Sequence, residues 1–307
     1  MTDPLPSWND AAAKQAIIAF VKDTTTQGSP KFVEPENRIA AFDQDGTTWV
    51  EQPAYVQVLF AFHQLGVMAA KDSTLKEVEP FKTALSGDSA AIAKLGVPEI
   101  LKIVALTHSG MTVEVFQKTV QDWIKTAQHP RYKRLYTDLV YLPMLELMQY
   151  LRANGYKTII VTGGGQDFVR TYAERVYGIP RDQVVGSASG TTFSYDATGK
   201  AILTKDTKLL WINDKSGKPV EIHQAIGRRP VMAFGNGDGD QHMLEYTEGG
   251  GGARFMMLVH HDDAAREYAT DAAMSFFSEG LMTQAKQRGW WVVSMKNDWK
   301  RIFAWQS

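Results

Sequence analysis

The sequence predicts an α/β protein, a doubly wound parallel sheet with a mainly helical domain inserted into it. Short apolar runs such as Ile39–Phe42, Tyr156–Val161, Pro230–Phe234 and Phe255–His260 alternate with helix-like stretches, the pattern of parallel strands joined by helical crossovers. From about Gln52 to Thr137 no strand pattern interrupts a series of helices, and that block is too long for an ordinary crossover. Three of the apolar runs end in acidic, hydroxyl or glycine residues, at the strand edge where open α/β sheets bind ligands.

Taken in order, Asn9 to Thr25 reads as an amphipathic helix with Ala12, Ile17, Phe20 and Val21 among its apolar positions. Gln27-Gly28-Ser29-Pro30 is a loop, and Ile39–Phe42 a buried strand. Helices are expected at Val56–Leu65, Thr74–Ala84, Ser89–Leu95, Pro98–Ala105 and Thr112–Ala127, separated by Gly, Pro or Ser. Pro143–Ala153 has proline at its start and Asn154-Gly155 at its end, the punctuation of a helix. Tyr156–Val161 is a strand, Asp167–Tyr177 a helix, Gln183–Ser187 a short strand and Thr191–Leu203 a hairpin around Ala197-Thr198-Gly199. A helix at Pro219–Ile226, strands at Pro230–Phe234 and Phe255–His260, and a last strand at Trp291–Met295 complete the pattern. The expected division is a core of residues 1–50 and 138–307 and a helical cap at 51–137.

Lys plus Arg number 33 and Asp plus Glu 34, a formal charge of −1, which is not the footprint of a nucleic-acid binder. No apolar run reaches the length of a membrane span. The start lacks a basic and then apolar leader, so cytoplasm is the default compartment, with the periplasm open if a leader has been removed. The absence of cysteine excludes disulfides, thiolate metal sites and a cysteine nucleophile.

The chemistry concentrates where Phe42 gives way to Asp43-Gln44-Asp45-Gly46-Thr47. Two carboxylates two residues apart would point the same way from a strand end, and Gly46 lets the chain turn. Such a pair holds a divalent cation or divides the roles of nucleophile and acid/base. A solvated Asp-Gly turn is the simpler reading of the segment alone. A calcium loop fails, because its sixth position from Asp43 would be Thr48 rather than glycine.

Thr162-Gly163-Gly164-Gly165 follows the second strand, with a hydroxyl and backbone amides suited to an anion. A dinucleotide fingerprint fails there, since Phe168 stands where the third glycine should be. Asn236, Asp238 and Asp240 form a second acidic cluster after a later strand, and hard oxygen donors of this kind suit Mg²⁺. Lys218, or Lys215 three residues earlier, would supply the fixed cation that several carboxylates and a phosphate require.

In this order and spacing, D-x-D-G-T, Thr-Gly-Gly, a lysine and an Asn-x-x-x-Asp cluster resemble the four motifs of the haloacid dehalogenase (HAD) superfamily. The insert after the first motif resembles a C1 cap, and with Pro143-Met144-Leu145-Glu146-Leu147 before the second strand the chain looks most similar to the phosphoserine-phosphatase-like branch. The resemblance implies a Rossmann-like HAD core and a Mg²⁺-dependent phosphatase acting on a small phosphorylated metabolite through an aspartyl-phosphate. Asp43 would be the nucleophile and Asp45 the general acid/base; Thr162, Gly163 and Lys218 would bind phosphate. Asp43, Asp45, Asn236 and Asp240 would hold the metal, with Asp238 behind them. The resemblance also implies phosphoryl chemistry over dehalogenation, because dehalogenases of the superfamily lack an acid at the place of Asp45. Asn236 departs from the aspartate usual in related phosphatases, which leaves a catalytically retired metal-binding or regulatory protein as the alternative. Pyrophosphatase or phosphotransferase activity is the alternative within the enzyme class. Glu51 and Trp49, just after the first motif, are candidate contacts to the substrate's leaving group, with packing at the hinge of the cap as the favoured reading.

Overall fold

The computed structural model describes residues 3–269 and 277–306 of the 307-residue chain. Its chain falls into two units, the first comprising Met1–Gln52, Gln128–Ser187 and Ile212–Ser307, the second Pro53–Ala127 and Ala188–Trp211.

The first unit is built on parallel strands in the order β3-β2-β1-β5-β6-β7. They span Ile39–Phe42 (β1), Lys157–Gly165 (β2), Val184–Tyr195 (β3), Met232–Gly235 (β5), Phe255–His260 (β6) and Trp291–Ser294 (β7). All four residues of β1 are buried, as expected of a central strand covered on both faces. On one face Ile39 and Ala41 join Ile159, Val161, Ala233 and Leu258 in a core closed by Ile222, Met243, Leu244, Leu281 and Ala285. These last five come from the helices Gly217–Ile226, Gln241–Glu248 and Glu279–Arg288. On the other face Phe42 stacks on Phe234 with ring centroids 4.4 Å apart. The strand order changes direction at β1, so the carboxyl ends of β1, β2 and β5 border the crevice that such sheets use for ligands.

Beyond Ser187, β3 runs on into the second unit, where it pairs antiparallel with Ala201–Trp211 (β4). The strand and hairpin expected separately are thus one strand. Gly186 and Gly190 each make room for a close neighbour. A Cβ would lie 2.8 Å from Gly164 O at the first and 2.4 Å from the Asp206 carboxylate at the second. The rest of the second unit is helical, with Val56–Ala69, Val97–Thr107 and Val113–Ile124 as its longer helices. Ala61, Leu65 and Ile103 form its apolar centre.

The division departs from the expected boundaries of the helical domain, 51–137, in two ways. Residues 128–137 belong with the first unit, where the buried His129 ring bonds Gln52 O at 2.8 Å. The hairpin beyond Ser187 belongs with the helices; its Lys205 exchanges backbone hydrogen bonds with Gly110 and Met111. The helix expected at Thr74–Ala84 is interrupted by Pro80, leaving a 3₁₀ turn at Ser73–Lys76 and a short helix at Phe81–Leu85. Among the described residues no helix is long and apolar enough to cross a membrane.

Candidate active site

Asp43 follows β1 directly, and its N–H still donates to Phe234 O of β5 at 2.9 Å. The carboxylate is therefore carried on rigid sheet. Its Oδ1 lies 2.5 Å from Lys218 Nζ, which also reaches Asp240 Oδ1 at 2.6 Å and Val161 O at 3.0 Å. An ammonium has three protons, and here all three are used. Lys218 opens the helix Gly217–Ile226, where a Cβ on Gly217 would strike Ile212 O at 2.1 Å. Lys215, the rival lysine, is exposed. Lys218 is the lysine in the network.

Burial works against the Lys218 ammonium, but Asp240 and Asp43 beside it outweigh that cost and push its pKa above the ordinary lysine value. Burial and the Asp240 carboxylate push Asp43 upward against the pull of Lys218. One ammonium facing two carboxylates leaves an excess of negative charge in a site closed to water.

Asp240 has partners at both carboxylate oxygens. Besides Lys218 at Oδ1, its Oδ2 accepts from the backbone amides of Asn236 (2.9 Å) and Gly237 (3.1 Å). The expectation that Asp240 holds metal meets a carboxylate whose two oxygens already serve a lysine and a turn. Asp238 points elsewhere, accepting from Ser278 N and Oγ, the residue that caps the helix Glu279–Arg288.

Asn236 stays with Asp43. The Thr47 hydroxyl lies 3.1 Å from Asp43 Oδ2 and 3.0 Å from Asn236 Oδ1, so two acceptor oxygens converge on a single proton. Asp45 is held apart from the lysine, its Oδ1 accepting from the Trp49 indole N–H at 2.7 Å. Desolvation pushes Asp45 up to about 7, with Glu51 adding to the rise and the Trp49 hydrogen bond opposing it. Thr162 is buried within β2, which runs on through the glycines expected to follow it and changes register there, and its hydroxyl accepts from Gly164 N at 3.0 Å. Gly163 beside it is exposed.

Trp49 and Glu51 are packed side chains, in line with the packing reading rather than the leaving-group one. They are 1% and 5% exposed, and their polar atoms are taken by Asp45 and by Asn236 Nδ2. The cause is the turn itself. Gly46 adopts a φ of +77° and its N–H bonds Trp49 O, so the chain folds back beneath the carboxylates.

From the sequence, His260 and His261 end a strand and could reach this edge, a buried or solvated histidine being the simpler reading; the support that His261 gives the turn was not foreseen. His261 is buried, with Nε2 2.7 Å from Gly46 O and Nδ1 3.1 Å from Glu267, whose other oxygen accepts from Tyr141. Burial opposes its charged form, but Glu267 prevails and raises the ring to about 9. Asn213 was also missed. Its Nδ2 donates to Thr162 O and Val185 O, fixing the chain at the end of β2. The only available signal was the place of His261 at a strand end, since Glu267 lies in a segment without periodicity.

A family model described as haloacid dehalogenase-like hydrolase matches residues 40–245, more than half of the chain and the stretch from Ala40 in β1 through Asp240. The chain belongs to that family. No curated protein matches it. Among solved structures, the fold of this HAD protein is similar to a conserved functionally unknown protein from Anaerococcus prevotii DSM 20548. That match has 14% identity and a TM-score of 0.57, covering 96% of this chain and 94% of the other. A protein with unknown function from Bordetella pertussis Tohama I is also similar, at 14% identity and a TM-score of 0.52, covering 84% and 98%. At such identities the likeness is one of fold alone.

Proposed function

We propose that this HAD protein is a Mg²⁺-dependent phosphomonoesterase acting on a small phosphorylated metabolite through an aspartyl-phosphate on Asp43. The observation that carries the reading is the division of labour between the two aspartates of the first motif. Asp43 is bound to the buried ammonium of Lys218, whereas the Asp45 carboxylate accepts from the neutral indole N–H of Trp49. One carboxylate is held in place beside a fixed cation; the other remains able to exchange a proton.

The donors present suit Mg²⁺, which takes oxygen ligands from one or two carboxylates and leaves room for substrate and water. Among the described residues no cluster of three His, Asp or Glu forms a ready cage. The set implied here needs none: the Asp43 carboxylate, the Asp45 backbone carbonyl and the Asn236 amide oxygen would hold the ion. Two observations favour it, the excess negative charge around Lys218 and the convergence of Asp43 Oδ2 and Asn236 Oδ1 on one proton. When bound, the ion would neutralise charge on the transferring phosphoryl group.

The remaining work falls to the chain's own residues. Lys218, the Thr162 hydroxyl and the Gly163 amide would receive the phosphoryl oxygens. An Asp43 oxygen forms a bond to phosphorus as the ester oxygen departs with the Asp45 proton. A water then gives its proton back to Asp45 and attacks the same phosphorus, releasing phosphate and restoring the Asp43 carboxylate. A broad panel of phosphoesters assayed with Mg²⁺ on wild type and Asp43→Asn tests the reading. Phosphate release by wild type alone is expected; no release from any ester, or equal release by both, contradicts it.

A further inference from the structure

Asn236 brings an amide to the edge of the site, and an amide has two unlike ends, an oxygen that accepts and an NH₂ that donates. Only one orientation turns the oxygen toward Asp43 and Thr47. In that orientation Oδ1 lies 3.0 Å from the Thr47 hydroxyl and Nδ2 donates to Glu51 Oε1 at 3.2 Å. Half a turn of the amide would set its oxygen against the Glu51 carboxyl oxygen and leave its NH₂ facing the cation ligands. Glu51 is 5% exposed, so water offers no alternative partner there.

The backbone gives an independent sign that the pair is a unit. A Cβ on Gly46 would lie 2.1 Å from Asn236 Nδ2 and 2.6 Å from Glu51 Cδ. The amide and the carboxyl group together fill the space that a side chain at 46 would take. Gly46 is itself held from the opposite side, where its carbonyl meets His261 Nε2 at 2.7 Å. Packing fixes the place of the pair, and hydrogen bonding fixes which way the amide faces.

We propose that Glu51 is a positioning residue that locks the Asn236 amide with its oxygen toward Asp43, so that a neutral side chain serves as a cation ligand. The inference rests on the phosphatase reading of the site and reassigns Glu51 from substrate contact to ligand orientation. It carries a signature that a merely structural role lacks. Removing the Glu51 carboxyl group should harm the site when residue 236 is asparagine and help it when residue 236 is a carboxylate, which would face Glu51 as a like charge.

The test is the affinity for Mn²⁺, followed by electron paramagnetic resonance on the full chain, with melting temperature as a check on folding. Glu51→Met should weaken Mn²⁺ binding on the order of 10–100-fold, the usual effect of removing a group that orients a metal ligand. In an Asn236→Asp background, Glu51→Met or Glu51→Gln should instead tighten it, with glutamine the better because its NH₂ can donate to the new carboxylate. Unchanged affinity in Glu51→Met, or equal weakening in both backgrounds, overturns the inference and leaves the phosphatase reading standing. A wild type that binds no Mn²⁺ overturns the metal site and this inference together.

Discussion

Gly46 shows how much of the site hangs on one residue. Its φ of +77° is a conformation that side chains rarely adopt, and its missing Cβ leaves space for Asn236 and Glu51. Gly46→Ala is expected to lower stability by about 1–3 kcal/mol from backbone strain, with a further loss from the clash. Urea unfolding checks the figure; a stability equal to wild type would contradict it. The same residue explains where the sequence was legible. Asp43, Asp45, Thr162 and Asp240 could be picked out because their types and their places after apolar runs point to anion and cation chemistry, and Lys218 because several carboxylates and a phosphate call for a fixed cation. Trp49 and Glu51 could not be placed, because a sequence shows that residues follow a turn but not how far the chain reverses. Asp240 was recognisable as part of the site, yet its commitment to Lys218 and two amides depends on a tight turn that residue spacing does not specify.

At the scale of elements, the segment after β6 braces the turn after β1 through His261 and Glu267. Relative to its ordinary value near 6.5, the His261 ring is raised to about 9, so the folded state favours the protonated ring. The stabilisation is fully present below pH 6.5 and is lost as pH rises through about 9, a change on the order of 3 kcal/mol. Melting temperature should therefore fall across that window, and His261→Gln should remove this part of the fall; an identical pH profile in the variant would refute the assignment. Elements dominated by apolar runs, such as β1, β5 and β6, were legible because a buried parallel strand leaves no choice of face. The helices Gln241–Glu248 and Glu279–Arg288 were not, since each buries only two or three side chains in a mostly polar stretch. β3 was expected as two pieces because it changes partner along its length, parallel to β2 at first and antiparallel to β4 beyond, and residue types do not show a change of partner.

The whole molecule joins a HAD core to a second unit whose sequence is discontinuous, helices from Pro53–Ala127 and a hairpin from Ala188–Trp211. The helical part could be read from periodicity, whereas the hairpin's allegiance depends on contacts between residues about 90 positions apart, such as Met111 with Lys205. The core supplies every residue assigned here to phosphoryl transfer, and the central claim is that Asp43 takes the phosphoryl group while Asp45 moves the proton. An aryl phosphate with a good leaving group needs little protonation to depart, so Asp45→Asn should still form the intermediate and be slow to hydrolyse it. The most direct measurement is therefore mass spectrometry of Asp45→Asn, acid-quenched during turnover of p-nitrophenyl phosphate with Mg²⁺ and digested to peptides. The account predicts one phosphoryl group, on Asp43. A phosphoryl group on another residue, or turnover by Asp45→Asn with Asp43 never modified, would contradict it.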